Sequence, residues 1–300
     1  MNALLPWLYD HVEPAALRIA ERAAALDAAD EQRAYLVEAS QAIVASQSYR
    51  REPPRGASGE ELSATLTWFQ IIDEELEGYV AGKRAPADLI ARGGGRLWSA
   101  FQGHEPICAA WARGVARALA PRVAGRRVLE LGAGTGGTTR LLARALRRCD
   151  ELVVSDVRQS FLDRIVAGLP GVRVRTALFD IDAEPPELGD FDVIYATNCL
   201  HVAKDVDATL ARLRALLRPG GTLVLGEGAH YSSATPTPLA LVLALFDGWW
   251  DAPRPRPGFL QPEQWLAALR GAGYEQCCAQ TWGDERRQFG GVYWARQPLN

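Results

Sequence analysis

The segment Glu130-Leu-Gly-Ala-Gly-Thr-Gly-Gly137 holds the residues best suited to grip a cofactor. Gly132, Gly134 and Gly136 give a G-x-G-x-G spacing, and Gly137 extends it to G-x-G-x-x-G. Without side chains, such a loop turns tightly and lets a ligand approach the backbone. The spacing alone fits a dinucleotide or S-adenosylmethionine equally well. Charge separates them. A pyrophosphate favours helix N-terminal amides and is repelled by a nearby carboxylate. Glu130, two residues before the first glycine, instead suits the sulfonium and ammonium groups of S-adenosyl-L-methionine. Asp156, 26 residues beyond Glu130, can accept from both hydroxyls of a ribose, which either cofactor carries.

These residues need strands and helices to hold them. Arg127–Leu131 reads as a strand entering the loop, with a helix over 138–148 leaving it. Further strands are expected over 152–155, 172–178, 191–196 and 222–226, with helices over 159–168 and 207–217 between them. Pro219-Gly220-Gly221 is expected to turn the chain into the last of these strands. An apolar helical segment over 239–250, a helix over 263–271 and strands near 274–281 and 288–295 follow. Strand–helix alternation implies an α/β fold, a Rossmann-like and mostly parallel sheet of seven strands with helices on both faces. Ligands of such sheets bind beyond the carboxyl ends of the strands, where strand order reverses.

The first third has a different pattern. Apolar residues recur at three- and four-residue spacings over 15–29, 32–46 and 60–80, where Leu66, Phe69, Ile72, Leu76 and Tyr79 form one stripe. The segment 51–59 is a loop by its proline and glycine content, and Gly93-Gly94-Gly95 marks a hinge. The expectation is a helical cap over 1–95 and a Rossmann-like domain over 96–300. Residues 1–95 hold 9 Lys/Arg against 15 Asp/Glu, whereas the remainder holds 24 against 21.

The net charge of −3 gives no basic face for nucleic acid. No apolar run reaches the ~20 residues that a bilayer requires, and the amino terminus has no leader pattern, so a cytoplasmic protein is expected. Cys108, Cys149, Cys199, Cys277 and Cys278 form no C-x-x-C pair, which argues for reduced thiols and no metal site.

Several stretches resemble the C-methyltransferase domains of polyketide synthases, within the class I S-adenosylmethionine-dependent methyltransferases. They are VLELGAGTGGTT (128–139), FDVIYATNCLH (191–201), LRALLRPGGTLVLGE (213–227), LFDGWW (245–250) and QPEQWLAALRGAGY (261–274). The resemblance covers about residues 60–295. It implies that Phe179, Asp180, Ile181 and Asn198 edge the adenine and methionine parts of the cofactor. It also implies a catalytic dyad of His201 and Glu227 that deprotonates the α-carbon of a β-ketoacyl thioester. Each follows a strand end, the fourth and the fifth, and neighbouring strands lie ~4.8 Å apart, so the two side chains can meet. Family members sit in multidomain synthases. This chain shows no ketosynthase, acyltransferase or carrier region, so its expected partner is an acyl carrier protein met in trans, or else a free small-molecule substrate. The competing reading is an O- or N-methyltransferase for a free natural product, which needs proximity more than a base.

Other residues carry less. His230 is a reserve base; His11 and His104 read as structural or surface residues. Phe246, Trp249 and Trp250 suit either an acyl pocket or a core. Arg140, Arg144, Arg147 and Arg148 read as a solvated helix surface.

Overall fold

The computed structural model describes residues 7–46, 63–85, 88, 106–167, 169, 171–229, 231–232, 235–236, 242, 260–283 and 288–299. The expected loop at 51–59, the triple glycine at 93–95, the apolar segment 239–250 except Val242, His104 and His230 lie outside these residues. The chain forms two compact units: Met1–Ile107 with His230–Pro253, and Cys108–Ala229 with Arg254–Asn300. Among the described residues no helix is long and apolar enough to cross a membrane.

The first unit is built on three helices, α1 (Glu13–Ala23), α2 (Glu31–Ser46) and α3 (Ser63–Val80). The apolar stripe of α3 is largely inside: Phe69, Ile72, Leu76 and Tyr79 are buried. Arg22 of α1 reaches both Asp73 and Glu77 of α3, 2.6 and 3.3 Å away. These charges are exposed and add little; apolar burial holds the helices together.

The second unit opens with α4 (Pro106–Leu119), followed by β1 (Arg127–Leu131), α5 (Gly137–Leu146), β2 (Glu151–Asp156), α6 (Gln159–Ala167) and β3 (Val174–Leu178). Next come β4 (Phe191–Thr197), α7 (Val206–Ala215), β5 (Leu217–Gly228), α8 (Pro262–Gly271), β8 (Glu275–Gly283) and β9 (Gln288–Arg296), while the short β6 (Tyr231–Ser232) and β7 (Thr235–Pro236) pair with each other and belong to the first unit. The seven-stranded sheet has the order β3-β2-β1-β4-β5-β9-β8, parallel except where β9 runs against β5 and β8. Strand order therefore reverses between β1 and β4, which is where this architecture places a ligand.

Strand alternation divides the core between the two faces. Leu129, Leu131, Ile194, Ala196, Leu223, Leu225 and Tyr293 pack on one face with α7 and α8. Val128, Val193, Tyr195, Val224 and Val292 pack on the other with α4, α5 and α6.

Two elements depart from the sequence reading. Helix α4 was not foreseen, although Trp111, Val115 and Leu119 recur every fourth residue and are all buried. Gly114 lets α4 approach β8 and β9, because a Cβ there would stand 2.7 Å from Trp282 and 2.8 Å from Val292. Strand β5 begins at Leu217, five residues earlier than expected, and runs through the Pro-Gly-Gly that was read as a turn. Between the pairs Phe191–Leu217 and Val193–Thr222 the register against β4 shifts by three residues, and Gly220 supplies the positive φ of +75°.

Candidate active site at the carboxyl edge of the sheet

The three glycines of the loop do different work. All have φ between +54° and +78°, where only glycine is unstrained. A Cβ on Gly132 would stand 2.3 Å from the Cys199 sulfur, and one on Gly136 would stand 2.9 Å from Ile165. Gly132 therefore fits the loop against the segment after β4, and Gly136 fits the start of α5 against α6. Among the described residues, a Cβ on Gly134 would meet only the Gly132 carbonyl, at 3.9 Å. The open side of the loop is at Gly134.

Asp156 ends β2 with its carboxylate turned toward this opening. Its Oδ2 accepts from the Gly134 N–H at 2.8 Å and its Oδ1 from the Arg158 N–H at 2.9 Å. Each oxygen keeps a lone pair for a further donor. Phe179 and Ile181 are buried in the core, whereas Asp180 between them is exposed and its Oδ1 accepts from the Asp182 N–H. Asn198 stands at the end of β4 with φ +53°, a conformation that asparagine tolerates better than most residues, and its N–H donates to the Gly226 carbonyl at 2.7 Å.

Glu130 points to the opposite face from Leu129 and Leu131 and is 3% exposed. Thr139 Oγ1 lies 2.9 and 2.7 Å from its two oxygens. Tyr195 stands directly across from it on β4, close enough to favour the ionised form, yet its hydroxyl makes no hydrogen bond of good geometry. Burial wins over both neighbours and pushes the carboxyl up to about 7 from 4.5. The nearby Asp156 raises it further, and the distant charge of Arg140 only partly offsets this.

His201 and Glu227, expected to meet because β4 and β5 are neighbours, are in direct contact. His201 Nδ1 lies 2.8 Å from Glu227 Oε2, with 1% and 0% of the two side chains exposed. Glu227 Oε1 accepts from the N–H groups of Cys199 and Leu200 at 2.9 and 2.7 Å. Those amides open the short 3₁₀ turn Leu200–Val202 that carries His201. The carboxylate thus caps the turn and orients the ring it presents. Nδ1 is the ring nitrogen held by the carboxylate, which leaves the ring's orientation fixed with Nε2 on the side away from Glu227. The same Cys199 whose sulfur packs on Gly132 is clamped by Glu227, so the glycine loop and the dyad are separated by a single residue.

Some residues that shape this site escaped the sequence reading. Thr139, which closes the stretch 128–139, proves to be the partner of Glu130. Gly290 and Gly291 of β9 stand opposite Gly228 and Glu227. A Cβ on Gly290 would fall 2.4 Å from the Glu227 carbonyl, so β9 closes on the dyad strand only because this residue is bare. The adjacent glycines in an otherwise apolar strand were a readable signal of close backbone approach.

Comparison with known proteins agrees with this architecture. A methyltransferase-domain family matches residues 129–223, the stretch from β1 into β5. The fold is that of the CurJ carbon methyltransferase, with a TM-score of 0.77 and 21% identity over 99% of this chain and 94% of that one. It is likewise that of the C-methyltransferase domain of the citrinin polyketide synthase, with a TM-score of 0.77 and 20% identity over 100% and 93% of the two chains. The chain belongs to the class I S-adenosylmethionine-dependent methyltransferases. Within that class it is of the polyketide-synthase type: it is 34% identical over 273 residues to the polyketide synthase ThaG of Burkholderia thailandensis. That match takes in 82% of this chain and spans 5% of the length of ThaG.

The state of Glu130 has a measurable consequence for stability. The folded, cofactor-free protein keeps a proton that an unfolded glutamate releases near 4.5, so this group's contribution is present at low pH and is lost as pH rises toward about 7. Relative to the wild type, Glu130→Gln is expected to gain about 3 kcal/mol of unfolding free energy across that window. Urea denaturation at a series of pH values measures it, and a difference that does not vary with pH contradicts the raised proton affinity.

Proposed function

We propose that this chain methylates the α-carbon of a β-ketoacyl thioester in polyketide biosynthesis, with an acyl carrier protein presenting the substrate. The observation that carries the reading is the buried His201–Glu227 pair one residue from the glycine loop. Methylation at oxygen or nitrogen needs chiefly alignment, whereas carbon must first lose a proton. Kinship with polyketide synthases supports the thioester substrate.

The residues at the loop fit the cofactor. Gly134 leaves the space a ligand needs, Asp156 offers acceptor positions for the ribose hydroxyls, and Asn198 and Asp180 border the same strand ends. Phe179 and Ile181 contribute by shaping the segment that displays Asp180. Glu130, with a hydroxyl but no cation bonded to it among the described residues, suits a nearby ammonium, which favours its ionised form. S-adenosylmethionine, when bound, supplies an electrophilic methyl carbon on a sulfonium that departs as a neutral thioether.

His201 Nε2 then serves as the general base. It takes the α-proton, already acidified by the two flanking carbonyls, and the electron pair left on carbon forms the bond to the methyl group. Glu227 stabilises the resulting imidazolium through Nδ1 and keeps the ring from turning. The proton leaves His201 to solvent after transfer. The helical unit, acidic in composition, is read as a cover that excludes water from this edge.

Three measurements test these assignments. Calorimetry with S-adenosylmethionine should show binding lost in Gly134→Val, which puts a β-branched side chain into the open side of the loop at φ +54°; unchanged affinity refutes the site. With S-acetoacetyl-N-acetylcysteamine as substrate, His201→Ala should abolish methyl transfer and leave cofactor affinity intact. Glu227→Gln should slow it ~10²-fold or more, because an amide can still cap the turn but would donate to Nδ1 and force the wrong tautomer on the ring. Wild-type turnover in His201→Ala overturns the carbon-acid mechanism. Hydrogen exchange should show residues 13–80 protected when cofactor and thioester are both bound, and unaltered exchange there removes the covering role.

A further inference from the structure

Tyr293 is a buried phenol that the mechanism above does not use. It lies on β9, is 0% exposed, and its hydroxyl has no hydrogen-bond partner among the described residues. A buried donor left unpaired costs about 1–3 kcal/mol, so its retention calls for a reason.

Register and packing show where the hydroxyl points. Tyr293 pairs with Leu225 of β5, and two residues earlier Gly291 pairs with Glu227. A Cβ on Gly291 would lie 3.2 Å from both the Cζ and the oxygen of Tyr293. The phenol therefore lies along β9 with its tip over Gly291, in the space a side chain there would fill. Residues directly opposite in an antiparallel pair share a face, with Cβ positions ~5 Å apart. The hydroxyl thus stands beside the base of the Glu227 side chain. The Trp265 ring of α8, its centroid 5.9 Å away, backs the phenol.

Glu227 has a matching deficit. Its Oε1 already accepts two backbone N–H groups, while among the described residues Oε2 accepts from His201 Nδ1 alone. A carboxylate oxygen accepts from two directions, so Oε2 keeps one acceptor position. We propose that Tyr293 is a positioning residue of this site, whose hydroxyl donates to Glu227 Oε2, directly or through one ordered water, while His201 holds the substrate's proton. The inference rests on the dyad reading and extends it to a third strand.

The charged and titratable groups around the phenol are Glu227 on β5, with His201 beyond it, Glu263 on α8, and Cys277 on the same face of β8. None is a fixed cation, and burial together with the two carboxylates pushes the phenol well above its usual range, so it remains a donor throughout the working pH range. Donation to the carboxylate disperses its charge and lowers its pull on the imidazole proton. It also fixes Oε2 against Nδ1.

Tyr293→Phe preserves ring volume and removes only the oxygen. With S-acetoacetyl-N-acetylcysteamine and S-adenosylmethionine, it should lower kcat about tenfold with the cofactor's Kd and the melting temperature unchanged or improved. The imidazole pKa of His201, followed by NMR titration, should rise by about half a unit. In a His201→Ala background the same change should add nothing. Wild-type kcat and an unshifted His201 in Tyr293→Phe, with His201→Ala inactive, overturn this role alone. Wild-type turnover in His201→Ala overturns the dyad and this role together.

Discussion

One carboxylate organises the site. Glu227 accepts from two backbone amides through one oxygen and from an imidazole through the other, in a place closed to water. A buried charge is tolerable only when donors answer it, and here they come from the turn that the charge itself caps. The ring cannot move without loosening the turn, and the turn cannot move without exposing the carboxylate. The left-handed Asn198 starts the turn, and the bare Gly132 lets the cofactor loop rest on it. Strain at one residue and a missing side chain at another are the local costs of this coupling.

The loop is built on a comparable economy. Asp156 holds both the Gly134 and the Arg158 amides, so the shape of the loop and the start of the segment after β2 depend on the same carboxylate. Glu130 is separated from solvent by α5, which carries its hydroxyl partner. Burial pushes its carboxyl up to about 7, since little but a hydroxyl and a phenol answers it, whereas Glu227 accepts from two amides and an imidazole. Two carboxylates on opposite faces of one sheet, with β4 between their strands, thus have different environments.

Much of this was readable from the chain. The alternation of strands with amphipathic helices gave the sheet and its switch point, and the glycine spacing marked the loop. His201 and Glu227 were singled out by similarity and by their places after adjacent strands, which fixes proximity but not bonding. The amides of Cys199 and Leu200 were invisible, since backbone donors leave no trace in residue type and depend on how Asn198 bends the chain. Helix α4 was missed beside the stronger strand–helix grammar that follows it, although Trp111, Val115 and Leu119 are regularly spaced. The Pro-Gly-Gly at 219–221 was misread because a bulge within a strand and a turn before one use the same residues. Tyr293 looked like one more apolar strand position, and only register shows what it faces.

The order of the strands has a consequence for how the molecule is made. β9 lies inside the sheet between β5 and β8, although β8 precedes it in sequence. Until the β8–β9 hairpin docks, the long outer edge of β5 is unpaired and the apolar face that will carry Leu225 and Tyr293 is incomplete. Residues about seventy positions apart, such as Leu225 and Tyr293, must find each other for that step, a loop closure that makes it one of the slower events in assembly. The Glu227 carboxylate is therefore walled off from water late, when the fold around it is already committed.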